Sequence, residues 1–330
     1  MRFASAFKMT RLGPACGACG RRRLPALLLV AAMSETVFAD TPEPTVPDVS
    51  APGDAGQRAL PRKPLDIAAS LGVGYDNNVS RARDSIDKLS DESLKGEIAK
   101  TFFVPLGNSF RLMLDVYGGA EGFRTYTKLS NVYAGLYGQL QYRPSIAFYA
   151  PVVSVFSLFE GNQYGSDLRR GYRYSVGGTI DQPVTDRIRV SGTLAHNQRY
   201  AKSDVFAAVD NAAQLSVNYR TLAGGRFYAN AEYRLGDAVS SGRLTLENID
   251  VANVFVRDDA FNRNDFFSYR FRAHMWFTSL GYVHPIGRNG SLDASWRYAH
   301  VTPTERPDFE GASNVPYVSS QFIITYKHRF

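Results

Sequence analysis

Cys16 and Cys19 form the most familiar chemical spacing in this chain, the C-x-x-C of redox couples and half zinc sites. A zinc site needs a second ligand pair, and the sequence has only these two cysteines. Both stand ahead of an arginine triplet, Arg21 to Arg23, an apolar run from Leu24 to Met33, and a small residue at Ala39. That order of basic, apolar and cleavage regions reads as a secretory signal over residues 1–39, so the cysteines are expected to leave with it. His196, His274, His284, His300 and His328 could act as bases. None has a serine two positions on, the pairing that a nucleophile on a lipid-facing strand requires. Asp258, Asp259 and Asp265 crowd one long connection without the spacing of a calcium loop, and read as solvated loop charge. Gly72 and Gly74 precede no helix that could cap a phosphate. The expectation is no enzyme, no metal and no cofactor.

The chemistry left is that of charges recurring at every second position. Arg111, Asp115, Arg173, Arg189, Arg220, Glu232, Arg234, Arg297 and Lys327 each alternate with apolar neighbours, as do Asp66, Arg143, Asp181 and Asp293. Successive side chains of a strand point to opposite faces, so these segments have one greasy face and one charged face.

The clearest such segment closes the chain. Phe330, His328, Tyr326, Ile324, Phe322 and Val318 share one parity, and Arg329, Lys327, Thr325, Gln321 and Ser319 the other. The first strand sets Ile67, Ala69, Leu71, Val73 and Tyr75 against Ala68, Ser70, Gly72 and Gly74. Between them lie similar runs: Leu94 to Ile98, Phe110 to Tyr117, Val132 to Arg143, Tyr172 to Asp181, Ile188 to Leu194, Ala213 to Arg220, Phe227 to Leu235, and Leu292 to Tyr298. Ile146 to Phe159 is apolar on both parities and has no readable phase. Residues 266–284 lose their phase near Trp276 to Ser279, which predicts a bulge. Pro144-Ser145 predicts a tight turn, and Asn289-Gly290 is a hairpin signal.

About twelve strands result, with connections that alternate in length. Those at 105–108, 144–145, 183–187, 222–225 and 287–290 are short; those at 77–91, 122–130, 160–170, 200–210, 237–265 and 302–316 are long. This is the rhythm of a transmembrane, antiparallel, up-and-down β-barrel with short turns at one end and long loops at the other. A further hairpin within Arg243 to Val256 would raise the count to fourteen. The greasy parity carries almost no charge, and lipid demands this, since Lys or Arg at the bilayer midplane costs about 2–4 kcal/mol. A mean hydropathy of -0.24 does not oppose that reading, because alternating strands average to mild polarity. Tyr75, Phe110, Tyr142, Tyr172, Tyr219, Phe227, Tyr298 and Phe330 fit interfacial girdles.

The organisation expected is a signal peptide over 1–39, a Pro-rich periplasmic linker over 40–64 and a barrel over 65–330. The linker could instead plug the lumen or meet a periplasmic partner. The formal net charge of +7 falls to +2 without the signal, since residues 40–330 hold 32 Lys and Arg against 30 Asp and Glu, so nucleic acid is not an expected partner.

The closing Tyr326-Lys327-His328-Arg329-Phe330 resembles the C-terminal signature of Gram-negative outer-membrane barrels. That resemblance implies outer-membrane localisation, a lipid bilayer around the barrel, and recognition of Phe330, His328 and Tyr326 by the barrel insertion machinery. Gly72-Val73-Gly74-Tyr75-Asp76-Asn77-Asn78-Val79-Ser80-Arg81 is similar to the first strand and loop of the C-terminal barrel of surface lipoprotein assembly modifiers, although their helical-repeat domain is absent. Function is expected to be that of a porin-like channel biased toward anionic or saccharide solutes, because basic residues outnumber acids on the polar parity. A lumen closed by its own crosslinked charges is an equal reading. The alternative function is the barrel of an export machine for surface lipoprotein or exopolysaccharide.

Overall fold

The alternation of side chains along each segment is realised as one closed antiparallel sheet. The computed structural model describes residues 67–145, 147–305 and 315–330; the signal, the linker and Asp66 lie outside them. Its strands are β1 (Ile67–Asp76), β2 (Asp91–Leu106), β3 (Phe110–Phe123), β4 (Asn131–Tyr142), β5 (Val152–Tyr164), β6 (Gly171–Pro183), β7 (Ile188–Ala201), β8 (Ala208–Arg220), β9 (Arg226–Arg243), β10 (Val254–Arg257), β11 (Phe266–Ile286), β12 (Gly290–Pro303) and β13 (Tyr317–Arg329). Each pairs with its sequence neighbour, except that β9 pairs β11 directly and β13 returns to β1. Twelve strands therefore close the barrel, and β10 is an extra strand paired with β11 at Phe267–Arg270, beyond the last β11–β12 pair, Ala273 with Pro303.

The fourteen-strand count is corrected by this pairing. Arg243 to Val256 forms no barrel hairpin but a short helix, α1 (Leu246–Val251), capped by the Thr245 side chain, followed by β10. The predicted bulge is corrected too. The β11 pairings with β9 and β12 run without a break through Trp276–Ser279. Its phase looked lost because Phe271, Ala273, Met275 and Phe277 point inward and are themselves apolar; all but Phe277 are buried with Ala238, Val251, Tyr269, Val301 and Tyr317. The same cause blurs β5, whose inward Leu158 is buried beside Met113 and Tyr137.

At the end where β1 begins and β13 finishes the turns are mostly short. Leu106 pairs with Phe110 and Ile286 with Gly290, so three residues link each pair, and the left-handed φ falls on Gly107 (81°) and Gly287 (65°). Asn289-Gly290 is thus not the centre of its turn. Pro144-Ser145 is not a tight turn either, since the β4–β5 connection runs from 143 to 151. Arg143 sits in that connection, donating to the Ala147 carbonyl, and leaves the strand pattern.

The outward face is apolar around the barrel, with Leu71, Ile98, Leu114, Leu136, Val155, Ile180, Leu194, Leu215, Leu280 and Ile324 all exposed. Aromatic pairs lie near its edge at the terminal end, Phe110 with Tyr142 at 4.9 Å and Phe227 with Tyr282 at 4.5 Å between ring centroids. A soluble protein would bury such a surface; a bilayer solvates it. No helix among the described residues is long and apolar enough to cross a membrane, so strands are the spanning elements.

Candidate pore interior and loop cap

Because register fixes parity, each expected interior residue can be placed. Arg111, Asp115, Arg173, Arg189, Arg220, Glu232, Arg234, Arg297 and Lys327 all lie on the inward parity of their strands. The structure does not gather them into one ring. Arg111 and Arg220 are exposed at the terminal end, Asp115 and Arg173 are buried in the wall, and Arg234 and Arg297 lie on either side of β11. His196, His274, His284, His300 and His328 all take the outward parity, so none is an interior residue. His274 uses Nδ1 against the Tyr233 hydroxyl at 2.6 Å.

Much of the interior charge is paired across or along strands. Glu160 meets Arg173 at 2.9 Å and also accepts from the Tyr117 hydroxyl and Asn162. Arg189 meets Asp181 at 3.3 Å, Arg234 pairs with Glu232, and Glu97 accepts from Tyr133 while Lys95 approaches at 3.8 Å. Glu97, Glu160, Arg199 and Asp210 complete the acid and base balance that the shorter list of sequence candidates had tipped toward base. Glu97 lay within a run already read, whereas Glu160, Arg199 and Asp210 fell beyond the ends of the runs read from the sequence, because β5, β7 and β8 extend further toward the loops.

Tyr117 and Tyr133 reach those carboxylates by lying along the wall. Tyr133 passes over Gly119, where a Cβ would stand 2.5 Å from the phenol oxygen and 2.5 Å from the Gly96 carbonyl. Only glycine leaves room for the ring there.

Six connections leave the other end: L1 (77–90), L2 (124–130), L3 (165–170), L4 (202–207), L5 (244–265) and L6 (304–316). L5 and the strand tips beside it form the hub that L1 to L4 meet, and residues 306–314 of L6 lie outside the described residues. From L1, Asp87 accepts from Arg243, and the Ser80 carbonyl takes the Ser241 amide. From L2, Leu129 packs with Ala260 and Phe261. From L3, Arg169 binds Asp258 with both nitrogens, at 2.9 and 2.8 Å, while Ser166 donates to Asp259. From L4, the Asp204 and Ala207 carbonyls take Arg270 Nη1, each at 2.8 Å, and Phe206 packs with Val239, Val254 and Val256. Tyr317, beside L6, packs with Val251 of α1. Residues Gly236–Gly242 of β9 are buried without alternation because loops cover both faces of this tip. The cap therefore sits over the mouth of the barrel.

Asp258 is not the solvated loop charge expected from the sequence. Burial alone would raise its carboxyl, but the Arg169 charge, with hydrogen bonds from Arg169, Ser268 and the Ala260 amide, holds it down at about 2. Asp265, fully at the surface, is lowered by its hydrogen bond from Arg263.

L1 owes its shape to the sequence after β1. Asn78 donates to the Ala82 and Val318 carbonyls, each at 2.9 Å, and its oxygen accepts from Ser80 and the Ala82 amide. Asp76 accepts from the Asn78 amide, Arg81 and Gln321. Arg81 takes φ 55°, a left-handed conformation uncommon outside glycine, and its ion pair with Asp76 at 2.7 Å holds it there.

No family model and no curated protein matches the sequence. Solved outer-membrane barrels are similar in fold. The COG4313 outer membrane channel from Pseudomonas putida F1 is 12% identical, with 84% of this chain and 99% of that one covered at a TM-score of 0.49. The KdgM porin in complex with disordered oligogalacturonate is 10% identical over 80% of this chain and 99% of that one, at 0.39. The outer membrane phospholipase of Salmonella typhi, a dimer with bound calcium, is 10% identical over 83% and 94%, at 0.41. Channels and an enzyme stand side by side in this set, so the likeness is one of architecture, and function has to come from the interior and the cap.

Proposed function

We propose that this protein is a porin-like channel of the outer membrane of a Gram-negative cell, passing small anionic or saccharide solutes. One observation carries the reading: among the described residues, the inward cations without a carboxylate partner, Arg111, Arg220 and Arg297, are exposed or half-buried, whereas the carboxylate of Asp115 is buried in the wall. Accessible, unneutralised charge in a pore favours ions of the opposite sign. In this reading the termini face the periplasm, the loop cap faces outward, and the cap sets the resting conductance. Export by a cleaved signal over 1–39, insertion through Phe330, His328 and Tyr326, and a periplasmic contact through 40–64 belong to the same proposal. The outward histidines, Tyr-bonded or lipid-facing, give no support to an enzyme.

Reconstitution in planar bilayers under a salt gradient tests it. The expected result is conductance with chloride preferred over potassium, and a loss of that preference in Arg111→Glu plus Arg220→Glu. A membrane that stays silent with the cap proteolysed, or an unchanged reversal potential in the double variant, would remove the channel or its bias respectively.

A further inference from the structure

Arg297 differs from three other inward arginines that lie along the wall. Arg173, Arg189 and Arg234 each lie within ion-pair distance of a carboxylate, whereas Arg297, among the described residues, has the face of Phe277, 5.0 Å from its guanidinium carbon to the ring centroid, and no carboxylate within that distance. Arg234 approaches the same ring at 4.8 Å, so two guanidinium groups share one aromatic side chain while only one of them is neutralised. A guanidinium stacked on a ring keeps its in-plane N–H donors for a planar anion, which is the geometry that carboxylates accept in two-pronged fashion.

The residues directly beside Arg297 in register are uncharged and rich in hydrogen-bonding groups, while the nearby carboxylates are each bound to an arginine, Glu232 to Arg234 and Asp76 to Arg81. Register places it beside Ser279 on β11 and Gln321 on β13, and Ser279 beside Asn230 on β9. Asn230 donates to Ser279, and the Gln321 amide nitrogen is committed to Asp76, which leaves its carbonyl oxygen. Toward the loops on the same strands come first Phe277, Ala299 and Ser319 and then Met275, Val301 and Tyr317, the last three fully or almost fully buried, as an apolar ceiling beneath the cap. A monoanion set among hydroxyl groups fits this corner. A doubly charged phosphate fits less well, because the nearest second cation, Arg234, is taken up by Glu232.

We propose that Arg297 anchors a binding site for the carboxylate of an acidic sugar, with Ser279, Asn230 and Gln321 meeting its hydroxyls. The proposal rests on the channel reading and supplies its substrate class. Calorimetric titration of the full-length, detergent-refolded protein with sodium glucuronate, against glucose as the neutral partner, tests the site without requiring conductance. Glucuronate is expected to bind and glucose to bind at least about tenfold more weakly. Arg297→Gln should lose about tenfold in glucuronate affinity, and Arg297→Lys should retain part of it, keeping the charge but not the fork. Heat-modifiable gel mobility establishes that each variant is folded; if Arg297→Gln does not fold, Arg297→Lys decides. Equal binding of glucose, no binding of glucuronate, or unchanged affinity in the folded variants overturns the site. Binding without any bilayer conductance overturns the channel reading and leaves the site standing.

Discussion

Arg169 of L3 and Asp258 of L5 form a buried, two-pronged ion pair that ties the β5–β6 corner of the barrel to the connection between β10 and β11. Removing one member of such a pair strands the other charge in a poorly solvated place and typically costs about 3–5 kcal/mol. Arg169→Ala should therefore loosen the cap rather than the barrel. Hydrogen exchange over 244–265 is expected to rise in the variant while exchange in β1–β4 stays unchanged, and open-channel conductance should rise with it. Protection of L5 equal to the wild type would remove the lock from the account.

The pH dependence of that lock has a definite sign. The Asp258 carboxyl is held below its unfolded value, at about 2. Its contribution is therefore fully present above the ordinary carboxylate range, near pH 4, and fades as pH falls toward 2. Cap protection should be flat from pH 5 to 8 and decline only in acid; a midpoint near neutrality would point to another group.

Asn78 uses both ends of its amide, so an isosteric acid cannot replace it. Asn78→Asp turns a donor to two carbonyls into an acceptor and should cost about 1–3 kcal/mol of local stability in L1. Limited proteolysis between residues 79 and 88 reads the effect, with Asn77→Asp as the matched control.

Glycines 96 and 119 stand on neighbouring strands with opposite requirements. Nothing lies within 4 Å of a Cβ built at Gly96, whereas one at Gly119 meets the Tyr133 ring and a backbone carbonyl. Gly119→Ala is expected to cost about 1–3 kcal/mol of stability, read as a lower urea midpoint of refolding into lipid vesicles. Gly96→Ala should leave it in place.

Leu194 and Thr193 test the faces themselves. Leu194 is 68% exposed on the outward parity and Thr193 points inward beside Thr179. Arginine at 194 should cost about 2–4 kcal/mol in the bilayer, and far less at 193. Equal costs would be incompatible with lipid around this wall.

The sequence determined the antiparallel barrel of about twelve strands, the alternation of most of them, the six long connections at the loop end and the inward parity of charges such as Arg173 and Glu232. These follow from one-dimensional periodicity: lipid tolerates almost no charge, so the outward residues announce themselves two by two. Which interior charges are neutralised was decided only by closure. Glu160 and Arg173 come together through the β5–β6 register, and Arg297 is left with Phe277 because β11 lies between β9 and β12. The cap was equally hidden. Its contacts join residues such as Arg169 and Asp258 that are far apart in the chain, and the tip of β9 is buried on both faces, which erases the very pattern by which the other strands were read.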